Sequence, residues 1–231
     1  MRDTLHAIHA VLAEPGVRHA LNLTAEIAML TLMLHLIAGL ALGAALARQG
    51  WRGRGLLDAL VTLPLVFPPI ATGFVLLMLL GRRGAIGGWL DQQFALELVF
   101  SFWGVLIAAF ISGLPLVVKP VQAALESSSA RLAEAARTLG KNELEIFFRV
   151  LLPSVRKALA AGLVLGLGRS LGEVGITLML GGNIAGRTST VSLEIYNSVT
   201  GGEFERAAVL SLLLAVVTLL MFWVLKRLGA L

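Results

Sequence analysis

The sequence predicts an all-α integral membrane protein, and three observations lead to that prediction. First, 57% of the 231 residues are hydrophobic and only 14% are charged, whereas soluble domains carry about 25% charged residues. Second, apolar stretches of about 20 residues, the length that crosses a bilayer, recur along the chain. Third, the one long charged stretch between them has the apolar spacing of helices. The chain has no cysteine, so disulfides and cysteine metal sites are excluded.

About five membrane spans are predicted. They follow an N-terminal interfacial segment over residues 1–16, and the transmembrane domain is expected over residues 17–228. In chain order the spans cover residues 27–47, 56–80, 99–118, 153–180 and 207–225. The second span contains Pro64, Pro68 and Pro69, and each proline removes a backbone hydrogen bond from a helix. We therefore expect this span to be kinked or broken and to face other helices or a water path.

The charged stretch, residues 132–153, predicts two short amphipathic helices joined by a glycine turn. Gly140 suits the end of the first helix because glycine tolerates positive φ. Asn142 and Glu145 have the spacing of a capping box at the start of the second helix. Pro153 suits the first turn of the next span. Apolar residues recur at helical spacing in both helices: Leu132, Ala135, Ala136 and Leu139, then Leu144, Phe147, Phe148 and Leu151.

Arg169 and Glu173 place two charges four residues apart in the fourth span. Each would cost about 2.5–3.5 kcal/mol at the centre of a lipid-facing helix, so the pair must face protein or water. Two compatible interpretations stay open: a pair that lines a translocation path, or an ion pair that fixes helix packing. Two small-residue pairs in the same span predict close helix contacts: Gly162 with Gly166, and Gly168 with Gly172.

The segment from Gly168 to Gly172 also matches the serine-hydrolase pattern G-x-S-x-G, with Ser170 at its centre. That motif needs a strand, a sharp turn and a helix, whereas a continuous membrane helix is predicted here. We interpret the match as chance and predict that the chain is not an enzyme. The sequence has no G-x-x-x-x-G-K-[ST] loop, so an ATP-driven process would need a nucleotide site on another chain. His6 and His9 lie three apart without a third ligand in sight, so no metal site is predicted.

The distribution of basic residues predicts an orientation in the membrane. With the charged stretch inside, twelve Lys and Arg residues fall in inner segments and six in outer ones. By the positive-inside rule, the N-terminus is expected outside and the C-terminus in the cytoplasm. Topology thereby explains the formal net charge of +5, and no nucleic-acid partner is predicted.

The charged stretch contains the series Glu134-Ala135-Ala136, Gly140, Val150, Leu152 and Pro153. This series resembles the cytoplasmic loop of ABC importer permeases, with Val150 where that family usually has Ile. The resemblance implies that the loop docks into a cleft on a separate ATPase subunit, which holds ATP and Mg, while this chain holds no cofactor. The alternative is an amphipathic hairpin that lies on the membrane. The docking residues implied are Glu134, Ala135, Ala136, Leu139, Gly140, Leu144, Leu152 and Pro153.

A second resemblance concerns the cargo. It is carried by residues 169–183, Gly186-Arg187-Thr188, Leu63-Pro64-Leu65-Val66, Pro68-Pro69 and Gly81-Arg82-Arg83-Gly84. These look like the corresponding parts of molybdate permeases, although sulfate and tungstate permeases share a related Gly-Glu signature. The resemblance implies a type I importer fold in the inner membrane, a homodimer of this chain, two ATPase subunits and a periplasmic oxyanion-binding protein. Residues expected along the translocation path are Pro64, Pro68, Arg169, Ser170 and Glu173.

Two other classes of function stay open. A secondary transporter or channel would need no ATPase and would use an ion path built from Glu26, His35, Arg169 and Glu173. An intramembrane hydrolase would use Ser170, for which no Asp/His pair has a matching context. Within the permease class, sulfate or tungstate is the alternative cargo. Copurification with an ATPase would distinguish the importer from both other classes.

Overall fold

The computed structural model describes residues 2–227, with side chains described for residues 8–127, 132, 134–224 and 227. Every regular element in this part of the chain is helical, which confirms the predicted fold class. The predicted domain limits at residues 1 and 228 lie outside the described residues. The helices are α1 (Arg2–Ala13), α2 (Pro15–Ala47), α3 (Arg54–Val66), α4 (Pro69–Leu80), α5 (Gly87–Phe94), α6 (Phe102–Ala124), α7 (Ala130–Thr138), α8 (Glu143–Ile146), α9 (Leu152–Leu171), α10 (Gly175–Gly181), α11 (Val191–Thr200) and α12 (Phe204–Arg227).

Four helical stretches are long and apolar enough to cross a membrane by length and composition: Pro15–Ala47, Phe102–Ser127, Glu143–Leu171 and Phe204–Val224. The remaining predicted span, which is the second in chain order, corresponds to the pair α3 and α4. Its chain leaves the helical conformation at Phe67, where ψ is 139°, and at Pro68, where ψ is 133°. The expected break in the second span is therefore confirmed, and it falls beside the prolines that lack a backbone donor.

The fourth span differs from the prediction of one helix over residues 153–180. Helix α9 ends at Leu171, and the chain starts again as α10 at Gly175. A carboxylate explains the restart, because Glu173 Oε1 accepts the backbone N–H of Ile176 at 2.8 Å, as an N-terminal capping residue does. The hydroxyl of Ser192 on α11 donates to the Leu171 carbonyl that the break leaves without an intrahelical partner.

The first span is longer than predicted, since α2 begins at Pro15 and continues for 33 residues. The expected interfacial helix is present as α1. Its residue Val11 packs against Val17 of α2 and Leu210 of α12. The N-terminal segment is therefore attached to the bundle by apolar contacts.

Helix α6 occupies the centre of the bundle, between α2 and α9. Glycines allow the close approach: a Cβ at Gly39 of α2 would lie 2.5 Å from a methyl of Val117, and one at Gly162 of α9 would lie 3.0 Å from the Val117 Cα. The predicted packing role of the first small-residue pair is confirmed. Within the described chain, Gly168 has no neighbour within 4 Å of its Cβ position and Gly172 meets only its own helix. The close helix contact predicted for this second pair is therefore not made within the described residues.

Candidate functional site

The charged stretch forms a helical hairpin, which we call the docking hairpin and define as residues 130–151. Gly140 has φ +74°, and its N–H donates to the Arg137 carbonyl at 2.9 Å. The N–H of Lys141 donates to the Ala136 carbonyl at 3.1 Å. This pair of bonds is a Schellman motif, which ends α7 at a glycine in the left-handed conformation. The predicted glycine turn is confirmed.

The second arm of the hairpin begins at a side-chain cap. Asn142 Oδ1 accepts the backbone N–H of Glu145 at 2.8 Å, as predicted. The Glu145 carboxylate faces Lys141 at 3.5 Å and Arg149 at 3.0 Å instead of completing the capping box. Arg137 of α7 donates two hydrogen bonds, of 2.7 and 3.1 Å, to the carboxylate of Glu143 of α8. This pairing raises the pKa of the Arg137 guanidinium, which stays charged, and it ties the two arms together.

The hairpin turns part of its apolar surface inward and leaves part of it open. Ala136 and Ile146 are buried against each other, with Val150 and Leu151 packed around them. Glu134, Ala135 and Gly140 are exposed among the predicted docking residues, as is Pro153, whereas Leu152 is half-buried. Four large apolar side chains of the hairpin are exposed: Leu132, Leu139, Leu144 and Phe148 at 51%, 79%, 72% and 62% exposure. The structure therefore places six of the eight predicted docking residues on the hairpin, with Ala136 in its interior, and places Leu152 and Pro153 in the first turn of α9.

The docking hairpin continues directly into two membrane helices. The π-helical segment Leu125–Ser129 joins α6 to α7, and the π-helical segment Phe147–Leu151 joins α8 to α9. Nothing in the sequence analysis predicted these segments, because a π-turn has no simple residue signature. At the base of the hairpin, Glu126 pairs with Arg54 of α3 at 2.8 Å. Displacement of the hairpin would therefore be transmitted to α6 and α9 through uninterrupted helical backbone.

The residues predicted along a path lie in three different settings. Arg169 and Glu173 form an ion pair, with Nη1 2.6 Å from Oε2. The Ser170 hydroxyl donates to the Ala109 carbonyl of α6 at 2.6 Å and is buried, so it joins two helices beside a small cavity that Glu173 also lines. Pro64 is half-buried inside α3, and Pro68 is exposed at the break before α4. The structure thus brings Arg169 and Glu173 into contact, with Ser170 next to Glu173, and leaves Pro64 and Pro68 on the second span.

The breaks in the second and fourth spans lie side by side. A Cβ at Gly175, the first residue of α10, would lie 3.0 Å from Pro69 Cβ and 3.1 Å from Ile70 N at the start of α4. Gly73 of α4 packs equally closely on Ile176 of α10. The two short helices after the breaks therefore form one packed pair.

Sequence reasoning missed a polar cluster at the end of the bundle opposite the docking hairpin. Arg206 of α12 binds Glu14 at 2.9 Å, Glu194 of α11 at 2.7 Å and Ser198 at 2.7 Å. Glu194 and Ser198 lie on one helix, 12 and 8 residues before Arg206, and Glu203 lies 3.8 Å from Arg206 Nη1, but Glu14 is 192 residues away, so spacing gave no signal for the whole cluster. The cluster fixes α11 and the start of α2 against α12.

Comparisons with known proteins agree with this architecture. A family model described as binding-protein-dependent transport system inner membrane component matches residues 37–230. The molybdenum transport system permease protein ModB of Haemophilus influenzae is 38% identical over 213 residues, which are 90% of this chain and 93% of that protein. The sulfate transport system permease protein CysW of Synechocystis sp. is 36% identical over 212 residues, 90% of this chain and 76% of that protein.

A solved structure has the same fold. It is a bacterial alginate ABC transporter in complex with an alginate pentasaccharide-bound periplasmic protein, with a TM-score of 0.75 and 18% identity, covering 95% of this chain and 80% of that one. The family match extends over most of the chain, and the fold of α-helical spans agrees with it. The chain therefore belongs to the family of binding-protein-dependent transport system inner membrane components, and it is a multi-pass protein of the inner membrane.

Proposed function

We propose that the chain is the permease subunit of an ATP-driven importer and forms the translocation path for an oxyanion, with molybdate as the cargo. The observation that carries the proposal is the docking hairpin, which exposes four large apolar side chains on a rigid continuation of α6 and α9. The alignment covers 93% of the relative named as a molybdenum permease but only 76% of the relative named as a sulfate permease. This difference in coverage favours molybdate. Sulfate is the second candidate, because the identities differ by little.

The hairpin's partner is an ATPase subunit with ATP and Mg in its own site. Exposed Leu139 and Leu144 would enter an apolar cleft, since burying a leucine side chain stabilises a complex by about 1.5–3 kcal/mol. Glu134 and Arg137 of α7, both exposed, would add polar contacts at the rim of that cleft. ATP-driven movement of the cleft would then move α6 and α9 and open the path alternately to the two sides.

Two copies of the chain would enclose the path. Of the 13 residues of α3 only Val61 is buried, where it packs on Leu46 of α2 and Val118 of α6, so most of the rest of this helix is open. One side can face lipid and the other a second copy. Arg169 supports the same arrangement, because its side chain is 34% exposed and a charge facing lipid is costly. A water-filled path between the copies satisfies both.

A periplasmic binding protein would deliver the anion at the face opposite the hairpin. The alginate transporter of the same fold was solved with a periplasmic protein bound. The positive-inside count places the hairpin in the cytoplasm and the loop after α10 outside.

The test is transport by vesicles that contain this chain with a coexpressed ABC ATPase and a periplasmic oxyanion-binding protein. Uptake of radiolabelled molybdate that requires ATP and exceeds uptake of sulfate supports the proposal. Preference for sulfate would assign the second candidate. Uptake at full rate without the ATPase would instead show a secondary transporter or channel.

A further inference from the structure

We propose that Arg169 is the residue that contacts the anion in the path and that Glu173 is its built-in counter-ion, which keeps the anion from being held too tightly. This inference rests on the proposed function and names the ligand contact within the path. It combines an anchored carboxylate, a guanidinium with free donors, and open space beside them.

Glu173 is fixed from two directions. Its Oε1 accepts the Ile176 N–H at 2.8 Å, and its side chain is 1% exposed. Its Oε2 is buried without a well-aligned hydrogen bond, and Arg169 Nη1 lies 2.6 Å from it. The carboxylate therefore stays with the start of α10, and the guanidinium is held over it by charge.

Arg169 is only partly used by this pair. A guanidinium has five N–H donors in a planar fork that suits oxyanions. Within the described part of the chain, Glu173 is the sole ion-pair partner found for Arg169. With 34% of the side chain exposed, the remaining donors are open to a tetrahedral anion.

The space next to the pair is clear. Apart from its chain neighbours and the backbone of its own helix, a Cβ at Gly168 would meet no described atom within 4 Å, and Gly172 is exposed. Larger residues at these two positions would crowd an anion that approaches the guanidinium. The same side of α9 also holds exposed Leu165, so the opening continues along the helix.

The charges explain why a permanent counter-ion is useful. An unpaired arginine in a site of low dielectric would bind a dianion strongly and release it slowly. Transport requires a site that is favourable enough to enter and weak enough to leave. Glu173 cancels the formal charge of Arg169, so the anion is held by hydrogen bonds and a reduced attraction.

The decisive measurement is equilibrium binding of radiolabelled molybdate and of sulfate to the purified full chain in nanodiscs, without binding protein or ATP. Glu173→Gln keeps an oxygen for the Ile176 N–H but removes the negative charge. We expect it to bind either anion about ten- to hundredfold more tightly than the wild type, the scale of one charged hydrogen bond. Glu205→Gln, at an exposed position in the first turn of α12, changes the net charge by the same one unit in the same direction and should leave binding unchanged.

The Arg169→Gln/Glu173→Gln double variant removes both charges and avoids leaving Glu173 buried without a cation. We expect it to fold, shown by an unchanged melting profile, to bind neither anion, and to import molybdate slowly while ATP hydrolysis continues. Equal binding by Glu173→Gln and wild type, or wild-type uptake by the double variant, would overturn the inference. Wild-type vesicles that take up no oxyanion with ATP would instead refute the proposed function, and the binding measurement would still decide the role of the pair.

Discussion

The backbone of Gly113 on α6 lies so close to Ser170 on α9 that a Cβ there would sit 2.5 Å from the Ser170 hydroxyl oxygen. The same Cβ would be 2.3 Å from the Gly166 carbonyl oxygen and 2.6 Å from His35 Cε1. His35 is fully buried, and its Nε2–H donates to the Phe110 carbonyl at 2.9 Å. Three helices therefore meet around a position that only glycine fits.

We predict that Gly113→Ala destabilises the bundle. Backbone and a hydrogen-bonded serine surround the added methyl, so overpacking should cost about 1–3 kcal/mol. The measurement is the melting temperature of the purified chain in detergent. Gly16→Ala is the matched control, because nothing lies within 4 Å of that Cβ position on α2. If both variants melt at the wild-type temperature, the close approach of α6 and α9 is wrong.

The two broken spans show what hydropathy can and cannot predict. Pro68 and Pro69 marked the first break, since a missing N–H and a fixed φ are visible in the sequence. The second break lies in an apolar run where Gly172 and Glu173 had another interpretation, as part of a continuous helix with an ion pair. Glu173 lies three residues before Ile176, which is the spacing of an N-terminal capping residue and was a signal for a new helix start. Arg169 lies four residues before Glu173, however, which is also the spacing of an ordinary ion pair within one continuous helix.

The docking hairpin was predictable in its turn and less so in its packing. Gly140 and Asn142 act through local backbone geometry, and both predictions are confirmed. An amphipathic pattern identifies an apolar face but not which of its members meet inside the hairpin. The sequence pattern therefore assigned Ala136 to the docking residues, although in the structure it packs on Ile146. The contact between Arg206 and Glu14, which lie 192 residues apart, could be seen only in the three-dimensional structure.

We predict that Gly140→Trp uncouples ATP hydrolysis from uptake. With φ at +74° and nothing within 4 Å of the Cβ position, the substitution acts through backbone strain, about 1–2 kcal/mol. The strained turn should shift the hairpin in the ATPase cleft. The measurement is the number of ATP molecules hydrolysed per anion imported. Gly140→Asn is the control, because asparagine tolerates this conformation. Normal coupling in the Trp variant would argue against a role for the turn.

We predict that the docking hairpin faces the cytoplasm and the loop after α10 faces the periplasm. The chain has no cysteine, so single-cysteine variants give unambiguous labelling. Leu139→Cys lies at a position with 79% exposure and Ala185→Cys at another exposed position. In spheroplasts that express the chain without an ATPase subunit, a membrane-impermeant maleimide should label Ala185→Cys directly and Leu139→Cys only after permeabilisation. The reverse labelling pattern would remove the basis for docking to a cytoplasmic ATPase.

We predict that Arg206→Gln destabilises the end of the bundle opposite the hairpin. Glu194 is buried with its carboxylate 2.7 Å from Arg206 Nη2, so loss of the cation leaves a buried charge, at a cost of about 3 kcal/mol. Arg206→Lys should lose less, since an ammonium keeps the charge but cannot reach Glu14, Glu194 and Ser198 together. Thermal unfolding of the purified chain measures both. The Arg206→Gln/Glu194→Gln double variant should recover part of the loss, and a double variant as unstable as the sum of its single changes would show that the two charges do not interact.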